Sequence, residues 1–224
     1  MCYNTALDRK AKSRVMNLLG KTIRQWQQGL RDGMVRFYPG LDLEGRAEKF
    51  VRFFESHLPK ESRILDIGGG WGFYAEPLSR RGHHVTVLDV AKPNFQKAPV
   101  VLVEPGSRFP FPDKAFDASL LITVLHHMSD PLSVVREAAR VTRKVIVVVE
   151  DLYHHAIGRF WTHVRDQIYN FEFLGHPSGF KKKEEWLQFF HRLGFRLREE
   201  KELYTWLAGM RILNGLLIFE VPNL

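Results

Sequence analysis

The spacing of apolar residues changes twice along this chain, and the changes divide it into three parts. Val15, Leu19, Ile23, Trp26, Leu30, Met34 and Phe37 recur three or four residues apart, which predicts an amphipathic helix. Gly20, Gly29 and Gly33 each weaken it by up to about 1 kcal/mol, so it is expected to be kinked or divided. Pro39 and Gly40 end it, and Ala47, Phe50, Val51, Phe54 and Leu58 predict a second helix with one apolar side. From Arg63 onward the pattern becomes short β-rich runs alternating with helical ones. Strands are predicted at 63–67, 84–89, 100–103, 116–123 and 144–150, and helices at 73–81 and 131–141. That alternation implies a parallel sheet with crossover helices. The last part predicts helices at 158–169 and 184–193, then strands at 195–204 and 212–221. Two strands joined by little more than a turn must pair antiparallel. The predicted fold class is therefore α/β: a doubly wound, mostly parallel seven-stranded sheet whose last strand pair is antiparallel, with an N-terminal helical extension. Residues 1–60 form that extension, and 61–224 the α/β domain, with a strand-helix core at 61–151, an insertion at about 152–193 and a terminal strand pair at 194–224.

Composition narrows the class without altering this plan. A chain of 224 residues suits one large domain, and 45% hydrophobic with 26% charged residues is the make-up of a folded protein. The longest apolar run is residues 145–149, far short of the roughly 20 residues a membrane span needs. The start, MCYNTALDRK, has no apolar signal core, so the expected location is cytoplasmic. Cys2 is the single cysteine, which excludes an internal disulfide or a thiolate zinc site. A net charge of +8 would suggest an anionic partner, yet residues 1–60 hold 12 Lys/Arg against 6 Asp/Glu and so carry most of it. The basicity belongs to one helical segment, and nucleic acid is disfavoured as a partner of the rest.

The densest chemical signal is RILDIGGGWGF at 63–73, a strand running into a glycine turn and then a helix. Such a turn lets backbone approach a ligand closely, with unpaired N–H groups of the helix start behind it. A dinucleotide fingerprint would need its third glycine at Phe73, whose bulk opposes the required packing. The pattern present is DxGxGxG, with Asp66, Gly68, Gly70 and Gly72, and Asp89 closes the next strand, where an acid can accept both ribose hydroxyls. These residues resemble the class I S-adenosylmethionine-dependent methyltransferases, particularly the type 11 group. LDIGGGWG looks like that family's first motif and VTVLDV like its second, while FPFPDKAFDASLLITVLHHMSDP at 109–131 is similar to its third and fourth. The resemblance implies S-adenosylmethionine as cofactor. Asp66 and the glycine loop would hold its amino acid end, Asp89 its ribose and Val90 its adenine. Thr123 would contribute from the end of the fourth strand, and Tyr38 from the N-terminal segment near the cofactor's carboxylate. The family pattern has an acid directly before the Gly106-Ser107 position, whereas this chain has Pro105 there and Glu104 one step earlier. The adenine amino group is left to Glu104 or Ser107.

Methyl transfer from a sulfonium is an in-line displacement, so the protein must align the nucleophile and remove its proton where it has one. Candidates lie beyond the ends of the fourth and fifth strands. His127, and after it His126, are the candidate bases; the alternative is that both position the helix start at Asp130-Pro131. Tyr153, His154 and Trp161 either line the acceptor pocket or cover the sheet edge. Ten histidines invite a metal reading, but neighbours in sequence do not readily share one ion and no HExxH pair is present, so no metal is expected. Residues 153–190 contain 10 of the 28 aromatics, which suits an apolar or planar acceptor shielded from water. The basic N-terminal helix reads as a lid, as a membrane-surface helix collecting a lipid or quinone, or as an RNA contact. The expected function is methylation of O, N or C on a small molecule. The alternatives are a lipid or quinone methyltransferase at a membrane surface and a non-catalytic cofactor-binding protein.

Overall fold

Ile64, Leu65 and Ile67 leave no exposed apolar side on a strand of only five residues, the signature of a parallel strand covered on both faces. In the computed structural model this strand, β1 (Arg63–Ile67), lies inside a seven-stranded sheet. The structure describes residues 43–91, 98–170, 179–207 and 209–222, together with helical positions 22, 25, 26, 29, 30 and 33. The other strands are β2 (His84–Asp89), β3 (Val100–Leu102), β4 (Phe116–Ile122), β5 (Thr142–Asp151), β6 (Arg196–Leu207) and β7 (Met210–Glu220). Their order is β3-β2-β1-β4-β5-β7-β6. The first five run parallel, and β7 pairs antiparallel with β6, as the sequence predicts, and also with β5. The chain winds one way from β1 to β3 and the other way from β4 on. The crevice at the C-terminal ends of β1 and β4 is therefore the topological switch point, where ligands bind in such sheets.

Two apolar layers cover the sheet. On one side α1 (Leu43–Phe54) buries Phe50, Val51 and Phe54 against Ile64, Leu120, Val147 and Ile218. The Arg81 guanidinium fastens this helix to the turn after α2 (Ala75–Ser79), meeting Glu48 at 2.5 Å and Glu55 at 2.7 Å. The boundary expected at residue 60 therefore cuts through a packed layer: an amphipathic stripe reveals that a helix must be covered, not by what. On the other side lie α3 (Pro131–Val141) and α5 (Lys183–Arg192), with Trp186 and Phe190 fully buried and Phe190 stacked on Phe219 at 4.4 Å. Asp130 starts α3 by accepting hydrogen bonds from the Leu132 and Ser133 backbone, and Pro131 sits in the first turn, where no donor is needed. Between these helices in sequence runs α4 (Ala156–Asn170).

Observed bounds depart from expectation by a few residues. β6 runs on to Leu207 rather than ending at 204, and α2 starts at Ala75 rather than 73 because residues 70–74 are spent on turns of the glycine loop. Trp26 and Leu30, on the apolar stripe of the N-terminal segment, are 65% and 38% exposed. Tyr38 and the rest of that stripe lie outside the described residues.

Candidate functional site

The glycine loop leaves β1 beneath the switch point. Gly68 and Gly72 have φ of 70° and 75°, a region costly to any side chain, and a Cβ on Gly72 would stand 2.9 Å from that of Ala98. Asp66, the last polar residue of β1, is 1% exposed, and its Oδ2 has no hydrogen-bond partner. A Cβ on Gly69 would collide with that carboxylate, so the acid lies directly under the loop backbone. Burial, and secondarily the charge of Asp89, push its carboxyl up to about 7. Asp89 at the end of β2 reaches across the loop and accepts the Gly70 N–H at 3.0 Å and the Ala91 N–H at 3.1 Å. Val90 beside it is 58% exposed. Among the described residues no atom lies within 4 Å of where a Gly70 side chain would begin, so the loop is open there. A buried acid lacking a partner, a pinned second acid and an exposed apolar residue in one crevice fit a ligand with a cationic group, a polyol and an apolar ring. S-adenosylmethionine has those parts.

Glu104-Pro105-Gly106-Ser107 forms a turn in which the Ser107 N–H and hydroxyl both donate to the Glu104 carbonyl, at 3.1 and 2.8 Å. Proline followed by a glycine of φ 74° makes this turn. Glu104 and Ser107 are both exposed on it.

Beyond β4 the backbone is strained and tightly held. Thr123 adopts φ 50°, costly for a β-branched residue, with its N–H on the Val149 carbonyl at 2.6 Å. The 3₁₀ turn Leu125–His127 follows. Glu150, at the end of β5 and fully buried, accepts the Val124 and Leu125 N–H groups on Oε1 at 3.2 and 2.7 Å, and its Oε2 takes the Nδ1–H of His126. The other ring nitrogen of His126, Nε2, lies 3.5 Å from Oδ1 of Asp166 on α4, and Nε2 of His127 lies 3.7 Å from the same oxygen. Burial alone would lower the His126 pKa, but the Glu150 and Asp166 carboxylates override it and raise it above its ordinary value. Phe180 stacks on His126 at 4.4 Å, and the Gly179 N–H donates to the His126 carbonyl at 2.9 Å, so the segment after α4 returns to close the cluster.

The structure thus brings His126 and His127 together with Asp66, Asp89 and Thr123 at one sheet edge, but gives the two histidines different settings. His126 is 1% exposed and engaged at Nδ1, a positioning residue rather than the accessible base expected of it; His127 keeps 24% of its side chain exposed. Tyr153 sits under Arg159, 5.9 Å from the ring centre. His154 turns to the sheet surface, 3.6 Å from Glu202 of β6, and Trp161 is 62% exposed on the far side of α4 from Asp166. Neither is at the cluster. Trp161 instead lines a groove of about 300 Å³ with Val164, Arg165, Ile168, Met210 and Arg211. Sequence reasoning missed the roles of Glu150 and Asp166, which depend on elements meeting in space, and placed Phe180 only within the aromatic segment 153–190. Glu150 alone left a trace, as a charge ending an apolar strand.

Residues 65–148 match the family model described as "Methyltransferase domain". Among curated proteins, a ubiquinone biosynthesis O-methyltransferase from Maricaulis maris is 35% identical over 92 residues, which is 36% of this chain and 36% of that protein. An uncharacterised protein of Methanocaldococcus jannaschii is 31% identical over 104 residues, 45% of this chain and 50% of its own length. The matched region spans about a third to a half of these relatives. Among solved structures, a SAM-dependent methyltransferase from Thermotoga maritima superposes with a TM-score of 0.62 at 17% identity, covering 88% of this chain and all of that one. A [4+2]-cyclase superposes with a TM-score of 0.60 at 17% identity, covering 78% and 80%. At such identities the likeness is one of fold.

Proposed function

From the premise that residues 65–148 are a methyltransferase domain of the class I, type 11 kind, we propose that this chain transfers a methyl group from S-adenosylmethionine to a small-molecule acceptor. The observation that carries this reading is the buried, partnerless carboxylate oxygen of Asp66 under the glycine loop, at the same sheet edge as His127. The cofactor, when bound, supplies an electrophilic methyl on a sulfonium. The protein's part is placement. Asp66 meets the cofactor's ammonium group, Asp89 offers its remaining lone pairs to the ribose, and Val90 gives the adenine an apolar surface. Glu104 or Ser107 serves the adenine amino group. His127 engages the acceptor's nucleophilic group, taking its proton or lowering its affinity for it. His126, hydrogen-bonded to Glu150 and stacked on Phe180, holds His127 in place. An oxygen acceptor on a planar, apolar molecule is favoured by the name the curated relatives carry and by the aromatic segment over the cluster.

The test is a thermal-shift comparison. S-adenosylhomocysteine at 100 times its dissociation constant is expected to stabilise the chain by about 2.7 kcal/mol, or roughly 5–10 °C for a domain of this size. NAD and NADP should leave the midpoint unchanged. Stabilisation by a dinucleotide alone would overturn the reading. His127→Ala should lose turnover while keeping the S-adenosylhomocysteine shift. Because a [4+2]-cyclase shares the fold, the turnover readout must be transfer of the labelled methyl to an acceptor, not cofactor binding.

A second reading concerns where the acceptor is met. No helix among the described residues is long and apolar enough to cross a membrane. However, Ile157, Phe160, Trp161 and Trp206 are all at least 60% exposed, beside Arg159 and Arg211. Aromatics flanked by arginines suit the surface of an anionic membrane, which favours a lipid-like or quinone-like acceptor.

A further inference from the structure

The His126, His127 and Asp166 cluster contains more order than two histidines steering one acceptor require. Nδ1 of His126 donates to Glu150, which orients the ring, and its buried Nε2 makes no hydrogen bond, with the Asp166 carboxylate oxygen 3.5 Å away. Histidines that ligate metals almost always have their other ring nitrogen held this way by a carboxylate or carbonyl. One potential ligand atom from each of His126, His127 and Asp166 lies within 4.8 Å of the other two. Around a tetrahedral ion with ligand bonds of about 2.1 Å, donor atoms stand about 3.4 Å apart. The two distances to Asp166 Oδ1 are 3.5 and 3.7 Å. The charge balance points the same way: Glu150 and Asp166 place two carboxylates around one imidazole in a region at most 8% exposed, and a divalent cation with neutral histidines neutralises both.

We propose that His126, His127 and Asp166 form a site for a Zn²⁺-class divalent transition metal, with Glu150 as the carboxylate behind it. Two imidazoles and one carboxylate suit zinc and its first-row neighbours better than calcium or magnesium, which prefer all-oxygen sets. The objection that adjacent histidines do not share an ion falls away in this turn, because the 3₁₀ geometry brings their rings to 4.1 Å and the third ligand comes from α4. Three protein ligands leave a fourth position for an exogenous donor, as in catalytic rather than structural zinc sites. Phe180 walls the His126 side, and the exposure of His127 marks the route in.

The inference deepens the methyltransferase reading and rests on it for its chemical purpose. An acceptor hydroxyl in the fourth position loses its proton to solvent at a lower pH than in water. Its oxygen lone pair then forms the new O–CH₃ bond as the C–S bonding pair returns to sulfur. His127 acts on the acceptor through the ion, not by taking the proton itself.

The experiment is titration of the chelator-treated full chain with Co²⁺, followed by its visible d–d absorption and by competition with Zn²⁺. One equivalent is expected to bind, and His127→Ala and Asp166→Asn are each expected to weaken binding by at least 100-fold. Glu150→Gln should weaken it 10- to 100-fold. His57→Ala, whose ring pairs with Glu199 on β6, should leave binding unchanged. Zinc-edge X-ray absorption on the unmutated chain, which needs no variant to fold, should show two imidazoles per ion. Absence of stoichiometric binding, fewer than two imidazoles, or binding indifferent to His127→Ala would each overturn the site. S-adenosylhomocysteine stabilisation is measured on the same samples. Its presence without metal binding sinks the metal proposal alone, and metal binding without it sinks the methyltransferase reading instead.

Discussion

Asp66 is the residue whose chemistry can be read most directly from its surroundings. In the unfolded chain its carboxyl titrates near 3.9, while burial under the glycine loop raises it to about 7 in the folded chain. The protonated form is therefore the one the fold favours. Its contribution to stability is fully present below about pH 4 and is lost as pH rises toward 7, by up to about 4 kcal/mol. The ligand-free chain should lose stability across that window in urea melts at fixed pH, and Asp66→Asn should flatten the profile. An unaltered slope in the variant would assign the pH dependence elsewhere. A ligand ammonium beside the acid favours its ionised form. Cofactor binding at pH 6 should consequently release a proton, visible in calorimetry as a binding enthalpy that changes with the buffer's ionisation enthalpy. Asp66 and Asp89 were legible in the sequence because the loop and its acids come from neighbouring segments at fixed spacing. Glu150 and Asp166 were not, since each meets a His126 ring 24 or 40 positions away in the chain. The strain at Thr123 is a backbone property no composition or spacing expresses.

At the scale of elements, α4 is held by more than the histidine cluster. Asp151, closing β5, accepts from Arg165 of α4 at 2.7 Å and from Asn214 of β7 at 2.6 Å, with Arg46 of α1 at 3.8 Å. Asn214 in turn accepts from Thr205 of β6 at 2.6 Å. One carboxylate, 9% exposed, thus joins α1, α4, β5 and β7 at the edge of the site. Removing one member of a buried pair leaves charges without compensation and costs about 3–5 kcal/mol, against about 0–1 kcal/mol at the surface. Asp151→Ala is expected to lose stability in the first range by urea unfolding. Asp117→Ala, whose arginine partner Arg143 is 45% exposed, should fall in or near the second. Equal losses would mean that the Asp151 network carries no special share of the fold. The strands and α3 were legible because period and caps are local. The covering of the sheet by α1, and the turning of Trp161 away from the cluster, were not: α4 buries the polar Thr162 and Asp166 and exposes Ile157, Phe160, Trp161 and Ile168, the reverse of what an apolar stripe predicts.

For the whole molecule, the question is what the exposed side of α4 and the β6–β7 hairpin is for. Ile157 is 75%, Phe160 60%, Trp161 62% and Trp206 61% exposed, and Arg159 and Arg211 each lie near a tyrosine ring, within about 6 Å of its centre. Scattered surface hydrophobics need no explanation, but bulky aromatics concentrated on one helix face and a hairpin do. They give the molecule an apolar, arginine-flanked side on α4 and the β6–β7 hairpin. Transfer of two aromatic side chains from water into a lipid interface offsets several times the thermal energy, while attraction between arginines and anionic headgroups fades as salt shortens the Debye length from about 10 Å at 0.1 M. Flotation with vesicles containing phosphatidylserine should therefore carry the chain upward at low salt, and neutral vesicles should carry less of it. The Phe160→Ser/Trp161→Ser double variant is expected to reduce the bound fraction at least tenfold without disturbing the S-adenosylhomocysteine thermal shift, because neither side chain touches the glycine loop or the histidine cluster. Binding that survives this variant but disappears with residues 1–40 would move the contact to the N-terminal helix. No flotation of the intact chain at low salt would remove the membrane from the account and leave a water-soluble planar acceptor as the substrate to seek.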